Sequence, residues 1–298
     1  MKAFYDLPAP AKLNLFLHIT GRRLDGYHLL QSIFMLIDWS DMLHMEIRHD
    51  GVVSREDLTT ALPPEDLVVR AARALQLHAQ PGMGVHIGVE KRVPSQAGMG
   101  GGSSDAATCL LALNRLWKLD LPLATLSRIG LSLGADVPFF LGGRNAWVEG
   151  IGERITPVDL PPGRFLVAKP EAGLDTAAIF SAPDLERATP AAILSGFAAH
   201  SVADATNVNE IFGFGHNDLQ PVAERLCPAV TDAIEWLDRR GLKARMTGSG
   251  SAVFSAVPAT ASTPDSFSDM SLADAPRGWK VRECSNLAVH PLEGWAVR

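Results

Sequence analysis

Between Ala11 and Ile19 apolar and polar positions alternate, with Leu13, Leu15, Leu17 and Ile19 on one face and Lys12, Asn14, Phe16 and His18 on the other. A period of two predicts a half-buried strand from whose second face Lys12 and Asn14 project side by side. The turn-rich Gly21–His28, with its Asp25-Gly26 pair, leads into the apolar run Ile33–Ile37, so strand, functional loop and a further element follow one another. Residues Leu67–Leu77 read as a helix preceded by Pro63, Pro64, Glu65 and Asp66, and Val85–Val89 as a strand. Helical spacing returns in Leu110, Leu113, Leu116 and Trp117, with Lys118 favourably placed near the C-terminal end. Leu123–Gly134 predicts another helix, ending at a glycine just before Asp136. Turn formers at Pro157, Pro161, Pro162 and Gly163 suggest a domain boundary, with one domain over residues 1–155 and a second over 156–298. The second half carries a short strand at Phe165–Ala168, a helix from about Pro228 to Arg240, and a strand, glycine-rich turn and strand over Ala244–Val257. Residues 259–275, rich in Ala, Ser, Thr, Asp and Pro, fit a mobile loop or an ill-defined helix.

The joint between the Val85–Val89 strand and the following helix carries the chemistry. It reads Pro94, Ser95, Gln96, Ala97, Gly98, Met99, Gly100, Gly101, Gly102, Ser103, Ser104, Asp105. Glycines let backbone N–H groups approach an anion, and the first turn of a helix adds unsatisfied donors and the positive end of its dipole. Ser103, Ser104 and Asp105 are the N-cap candidates. No lysine or arginine lies between Ser95 and Asp105, so a Walker loop is excluded and phosphate would be held by amides. A dinucleotide fingerprint fails too, because its last glycine and its acidic residue on a later strand are missing. The alternative is a glycine-rich surface turn without a ligand.

Composition narrows the classes of function. The 298 residues are 47% hydrophobic and 20% charged, which suits a folded chain of two domains. A net charge of −6, with no basic patch interleaved with aromatics, excludes general attraction to nucleic acid or an anionic membrane. The cysteines Cys109, Cys227 and Cys284 are widely spaced and read as reduced, buried thiols. The N-terminus lacks the pattern of a signal peptide and no apolar run approaches membrane-spanning length, so a cytoplasmic protein is expected.

Phosphoryl transfer needs a phosphate cradle, a cation to offset developing charge and a group that positions or deprotonates the attacking hydroxyl. Lys12 can supply the cation and Asp136 the base. Taken singly, Lys12 could sit on a solvated strand edge and Asp136 could be a helix cap or an Asx-turn residue.

Together these segments resemble the GHMP kinase superfamily. The resemblance rests on Pro10–Leu17, Gly26-Tyr27-His28, Gly98–Ser104, Gly134–Phe139, Asn217-Asp218-Leu219 and Thr247–Gly250, in that order along nearly the whole chain. It implies an α+β, two-domain fold, with a ribosomal-protein-S5-like N-terminal domain, a ferredoxin-like C-terminal domain and an active site between them. It implies ATP and Mg²⁺ as cofactors, and transfer of the γ-phosphate to the 2-hydroxyl of a small cytidine diphosphate substrate in non-mevalonate isoprenoid precursor synthesis. Lys12 and Asp136 match the catalytic positions. Tyr27, His28 and Phe180 match the positions that hold the cytosine, with the aromatics as stacking faces and His28 as polar reader, and Asn14 stands beside them. The loop Pro94–Ser104, with Asp66 and Lys91, matches the nucleotide side. Gln96 and Ala97 stand where some relatives have glycine, which predicts altered loop stiffness, and Asp66 stands where several have asparagine near the adenine. Lys91 reads equally as a solvated strand lysine. The resemblance assigns no Mg²⁺ ligand and no oligomeric state. Its rivals are a sugar, homoserine or mevalonate kinase of the same superfamily, and a nucleotide-binding regulator without catalysis.

Overall fold

The alternating segment at the N-terminus grows, in a computed structural model that describes residues 2–193, 208–258 and 274–297, into a strand of 20 residues, β1 (Ala3–Arg22). It pairs antiparallel with β2 (His28–Arg48). The register shifts between Pro10 and Lys12 and again between Asn14 and Leu17, so irregularities bracket the two polar residues. Such bulges re-aim side chains next to sites. β2 is the centre of a six-stranded sheet ordered β3-β4-β2-β5-β6, completed by β3 (Val53–Asp57), β4 (Gly84–Glu90), β5 (Ala146–Gly150) and β6 (Arg154–Pro157), with β1 on β2. Among the described strands of this sheet only β3 and β4 run parallel. Four helices accompany it, α1 (Leu67–Gln76), α2 (Gly101–Leu116), α3 (Leu123–Leu133) and α4 (Val137–Gly142). They bury one apolar core, in which Leu43, Val85 and Ile87 of the sheet meet Ala72, Leu110 and Phe140.

The second sheet has the order β10-β7-β9-β8, with β7 (Arg164–Lys169), β8 (Arg245–Met246), β9 (Val253–Val257) and β10 (Lys280–Ser285). Its helices are α5 (Thr176–Ser181), α6 (Val208–Gly213), α7 (Gln220–Leu226) and α8 (Pro228–Asp238). Largely antiparallel sheets with accompanying helices make the fold α+β, as expected. β6 and β7 belong to different sheets, and Leu292 and Ala296 near the C-terminus return to the first core. Among the described residues no helix is long and apolar enough to cross a membrane. All three cysteines are buried and free. Of the segment 259–275, expected as a mobile loop or an ill-defined helix, residues 259–273 lie outside the described residues.

One expectation needs correcting. β1 is buried on both faces, with Lys12, Asn14, Phe16 and His18 as inaccessible as the leucines opposite. The reason is a long-range one. Residues 216–218 run along β1, with Leu17 N–H donating to His216 O and Asp218 N–H donating to Leu17 O, both at 2.9 Å. The Asp218 carboxylate also accepts from Ile19 N–H at 2.6 Å, and the Asn14 N–H donates to Thr247 Oγ1 at 2.8 Å. The second half therefore occupies the edge that local sequence leaves open.

Candidate active site

Two adjoining cavities of about 840 and 710 Å³ share Gly98, Gly100, Thr176 and Ser249 in their walls. The larger is lined by Lys12, Asn14, Tyr27, His28, Asp136 and Phe180, contributed by four separate segments of chain. The smaller is lined by Asp66, Lys91 and the whole loop from Pro94 to Ser103. Every sequence-predicted site residue except Ser104 thus faces one of two connected spaces.

The glycine loop is built by close approach. Gly98 has φ +69°, and a Cβ there would stand 2.2 Å from Thr247 O and 2.9 Å from Gly250 N. Gly248, at φ +55°, faces it from the other turn, where a Cβ would be 2.6 Å from Gly98 O. Asn217 Nδ2 donates to Met246 O and Gly248 O, both at 2.8 Å, and holds that turn in place. Gln96 itself adopts φ +49° and its carbonyl accepts from Ser251 N–H at 3.1 Å, so the loop carries a strained non-glycine residue pinned by the second half. Gly98→Ala is accordingly expected to raise the KM for ATP about tenfold or more and to lower the thermal midpoint by roughly 5 °C. An unchanged ATP KM in that variant would remove the loop-to-turn contact from the account.

The helix after the loop starts earlier than its polar residues suggest. Gly100, with φ +70°, is the N-cap of α2 and supplies no side-chain hydrogen bond. None of Ser103, Ser104 and Asp105 caps it. Ser104 is fully buried with its hydroxyl donating to Pro10 O at 2.6 Å, and takes no part in either cavity. The left-handed turn that the glycine permits begins the helix, and the first-turn N–H groups are left for an anion.

Asp105 instead forms a buried cluster with Lys91 and Asp41. The Lys91 ammonium donates to both carboxylates, and Asp41 accepts in addition from Arg92 and Val93 N–H. Burial disfavours the ammonium, but Asp105 and Asp41 outweigh it and hold Lys91 above its ordinary value. Burial, and then the neighbouring Asp41 carboxylate, push Asp105 up against the opposing pull of Lys91. Lys91 is therefore an interior strut behind the loop and not a solvated strand lysine. Asp66 accepts from Val69 N–H as the cap of α1 and pairs with Arg55 at 2.6 Å, so its carboxylate is engaged while it borders the smaller cavity.

In the larger cavity, Lys12 Nζ lies 3.9 Å from Asp136 Oδ2. It also donates to Asn14 Oδ1 and stands 4.7 Å from the Phe34 ring centroid. Burial pushes the Lys12 ammonium below its ordinary value, and Asp136 opposes that shift. Asp136 occupies the N-cap position of α4 yet makes no capping hydrogen bond, and its side chain is 31% exposed. The helix-cap role is thus unused, and the carboxylate faces the larger cavity. Phe180 and His28 pack together there with ring centroids 5.2 Å apart, and Tyr27 is exposed beside them. Burial, then the charges of Arg187 and Arg22, push His28 below its ordinary value, so its imidazole is neutral at pH 7.

Comparison with known proteins agrees with this geometry. The GHMP kinases N terminal domain family matches residues 66–144, and the GHMP kinases C terminal family matches residues 198–265. A 4-diphosphocytidyl-2-C-methyl-D-erythritol kinase of Variovorax paradoxus is 73% identical over the full length of both chains. The chain belongs to the GHMP kinases. A second relative so named, from Albidiferax ferrireducens, is 63% identical over 100% of this chain and 97% of its own. The crystal structure of a 4-(cytidine 5'-diphospho)-2C-methyl-D-erythritol kinase superposes with a TM-score of 0.75 at 33% identity, covering 94% of this chain and 98% of that one. This GHMP kinase is accordingly an enzyme that uses ATP to phosphorylate a small molecule.

Several neighbours of the site were invisible to sequence reasoning. Thr247 and Asn217 fall in segments that carry the family resemblance, but nothing local says that one meets Asn14 and the other clamps a turn. Arg187, which touches His28, has no motif around it.

Proposed function

We propose that this GHMP kinase transfers the γ-phosphate of ATP to the 2-hydroxyl of 4-diphosphocytidyl-2-C-methyl-D-erythritol. The observation that carries the reading is the meeting of Lys12 and Asp136 in a cavity faced with Tyr27, His28 and Phe180 that adjoins the glycine-loop cavity. Residues 1–155 supply the loop and the Lys12–Asp136 pair, and residues 156–298 supply Phe180 and the turn that closes on the loop. ATP phosphates lie against the amides of Gly98 to Ser103 and the first turn of α2. The acceptor's cytosine lies on the flat apolar faces of Phe180 and Tyr27 with its polar edge toward His28, as a base requires. Its 2-hydroxyl then reaches Asp136, which accepts the proton as the oxygen attacks the γ-phosphorus, and the bond from that phosphorus to the bridging oxygen breaks to release ADP. Lys12 offsets charge on the transferring phosphoryl group from a dry, fixed position, where such interactions are strongest. Asn14 holds Lys12 in that position.

Mg²⁺ entering on the nucleotide calls for one or two protein oxygens besides the phosphates and water. The hydroxyl of Ser103, in the wall of the loop cavity, suits that need and would hold it. When bound it neutralises charge on the β- and γ-phosphates. The free cysteines suit a cytoplasmic enzyme.

ADP release with a panel of acceptors tests the substrate. The cytidine acceptor is expected to exceed mevalonate, homoserine and galactose in kcat/KM by roughly 10³-fold or more, because polar groups built for a base are left unpaired by the others. CDP is expected to compete with the acceptor and not with ATP. Indifference to CDP, with turnover of one of the other alcohols, would assign the enzyme to that alcohol.

A further inference from the structure

The wall that faces the base is held together by one side chain. Arg187 Nε–H donates to His28 Nε2 at 3.2 Å. The same guanidinium donates to Ala182 O at 2.5 Å, Leu185 O at 3.0 Å and Phe180 O at 3.4 Å. Three of these four contacts anchor it to the backbone at the end of α5, the helix that carries Phe180. The fourth reaches the start of β2, in the other sheet. Arg187 therefore ties the stacking face to the polar reader and enforces their 5.2 Å packing.

The contact has a chemical consequence for the ring. A guanidinium only donates, so the nitrogen that receives its hydrogen bond must be the unprotonated one. With Nε2 as acceptor, the neutral imidazole carries its proton on Nδ1, and Nδ1 has no hydrogen-bond partner among the described residues. We propose that Arg187 is a positioning residue that sets His28 as an Nδ1–H donor and thereby makes the acceptor cavity select cytosine over uracil. The two bases differ on the edge that includes N3, which accepts in cytosine and carries a hydrogen in uracil. An Nδ1–H donor satisfies the first and confronts the second with a like donor, which leaves two buried donors unpaired. The other ring tautomer would present an acceptor at Nδ1 and reverse the preference. The lowered proton affinity of His28, with Arg187 and Arg22 as its neighbouring charges, keeps the ring in the neutral form that this selection needs.

The proposal rests on the cytidine acceptor assigned above, and its test separates the two. In ¹⁵N-labelled wild-type protein without ligands, long-range proton–nitrogen spectra are expected to show His28 protonated at Nδ1. In Arg187→Met the ring should shift toward the Nε2–H form, and the ratio of kcat/KM for the cytidine acceptor to that for its uridine analogue should fall about tenfold or more. A purely structural pin for α5 would raise the KM of both acceptors together and leave the ratio unchanged. Arg187→Lys retains a donor for the α5 carbonyls but lacks the fork that reaches both groups, so it should recover stability and not the ratio. An unaltered cytidine-to-uridine ratio in Arg187→Met, or Nε2–H in the wild type, overturns the proposal. If the wild type phosphorylates neither acceptor, the substrate assignment fails, the selectivity claim falls with it, and the tautomer still decides whether Arg187 orients His28.

Discussion

Asp136→Asn is expected to lower kcat by roughly 10²–10⁴-fold while ATP affinity and thermal midpoint stay near those of the wild type. The substitution keeps shape and removes the ability to accept a proton. Stability should hold because the Asp136 carboxylate caps no helix and its nearest cation is 3.9 Å away. ATP affinity should hold because the glycine loop reaches its closed form through Gly98, Gly248 and Ser251, none of which depends on Asp136. The variant also strips Lys12 of the charge that opposes its desolvation, so the ammonium should titrate lower still than in the wild type. Single-turnover quench-flow measurement with isothermal titration of ATP separates the two effects. Turnover within about threefold of wild type would remove Asp136 as the base, since general-base catalysis contributes at least about 10²-fold.

Lys12→Met is expected to cost about 10²–10³-fold in kcat, the usual loss on removing one preorganised group that faces developing charge. Stability should move in the other direction or hardly at all. The Lys12 side chain is 5% exposed, and a buried ammonium pays a desolvation cost that a methionine of similar length does not. Against that gain stands Asn14 Oδ1, which loses its donor, a cost of about 1–3 kcal/mol. The two nearly cancel, so the thermal midpoint should shift by no more than a few degrees, given about 2–4 °C per kcal/mol in a protein of this class. The pH dependence has a definite sign. A base whose folded pKa is depressed destabilises the fold while both states are protonated, and that penalty is relieved as pH rises from the folded value toward 10.5. Over the same window the wild type should lose kcat, because the ammonium that offsets charge disappears. Activity and the Lys12 contribution to stability thus change in opposite directions with alkalinity, and Lys12→Met should show neither trend. A wild-type kcat that stays flat to the ordinary lysine range would contradict this role.

The residues that carry the site were legible where local rules apply. Period-two alternation put Lys12 beside Asn14, and in the structure their side chains are hydrogen-bonded. The glycines between a strand and a helix line the smaller cavity in the structure, and the punctuated Gly134-Ala135-Asp136 brings its carboxylate into the larger one. Contacts between distant segments were not legible. The edge of β1 is covered by residues about 200 positions away, so no window on Ala11–Ile19 could show that Phe16 and His18 are buried. Ser104 looked like a cap because serine commonly is one, but a left-handed Gly100 begins the helix earlier and turns that hydroxyl toward Pro10. Lys91 read equally as a neighbour of the nucleotide and as a solvated lysine, because its partners, Asp41 and Asp105, come from a distant strand and a helix. Arg187 carries no pattern at all, since its meaning lies in reaching a histidine 159 positions earlier.

Purified protein incubated with ATP, Mg²⁺ and 4-diphosphocytidyl-2-C-methyl-D-erythritol, followed by mass spectrometry and phosphorus NMR of the products, tests the central claim most directly. The account predicts one ADP per acceptor consumed and a single added phosphoryl group on the 2-hydroxyl. ADP without phosphorylated acceptor, or no reaction beside an active control enzyme, would contradict it.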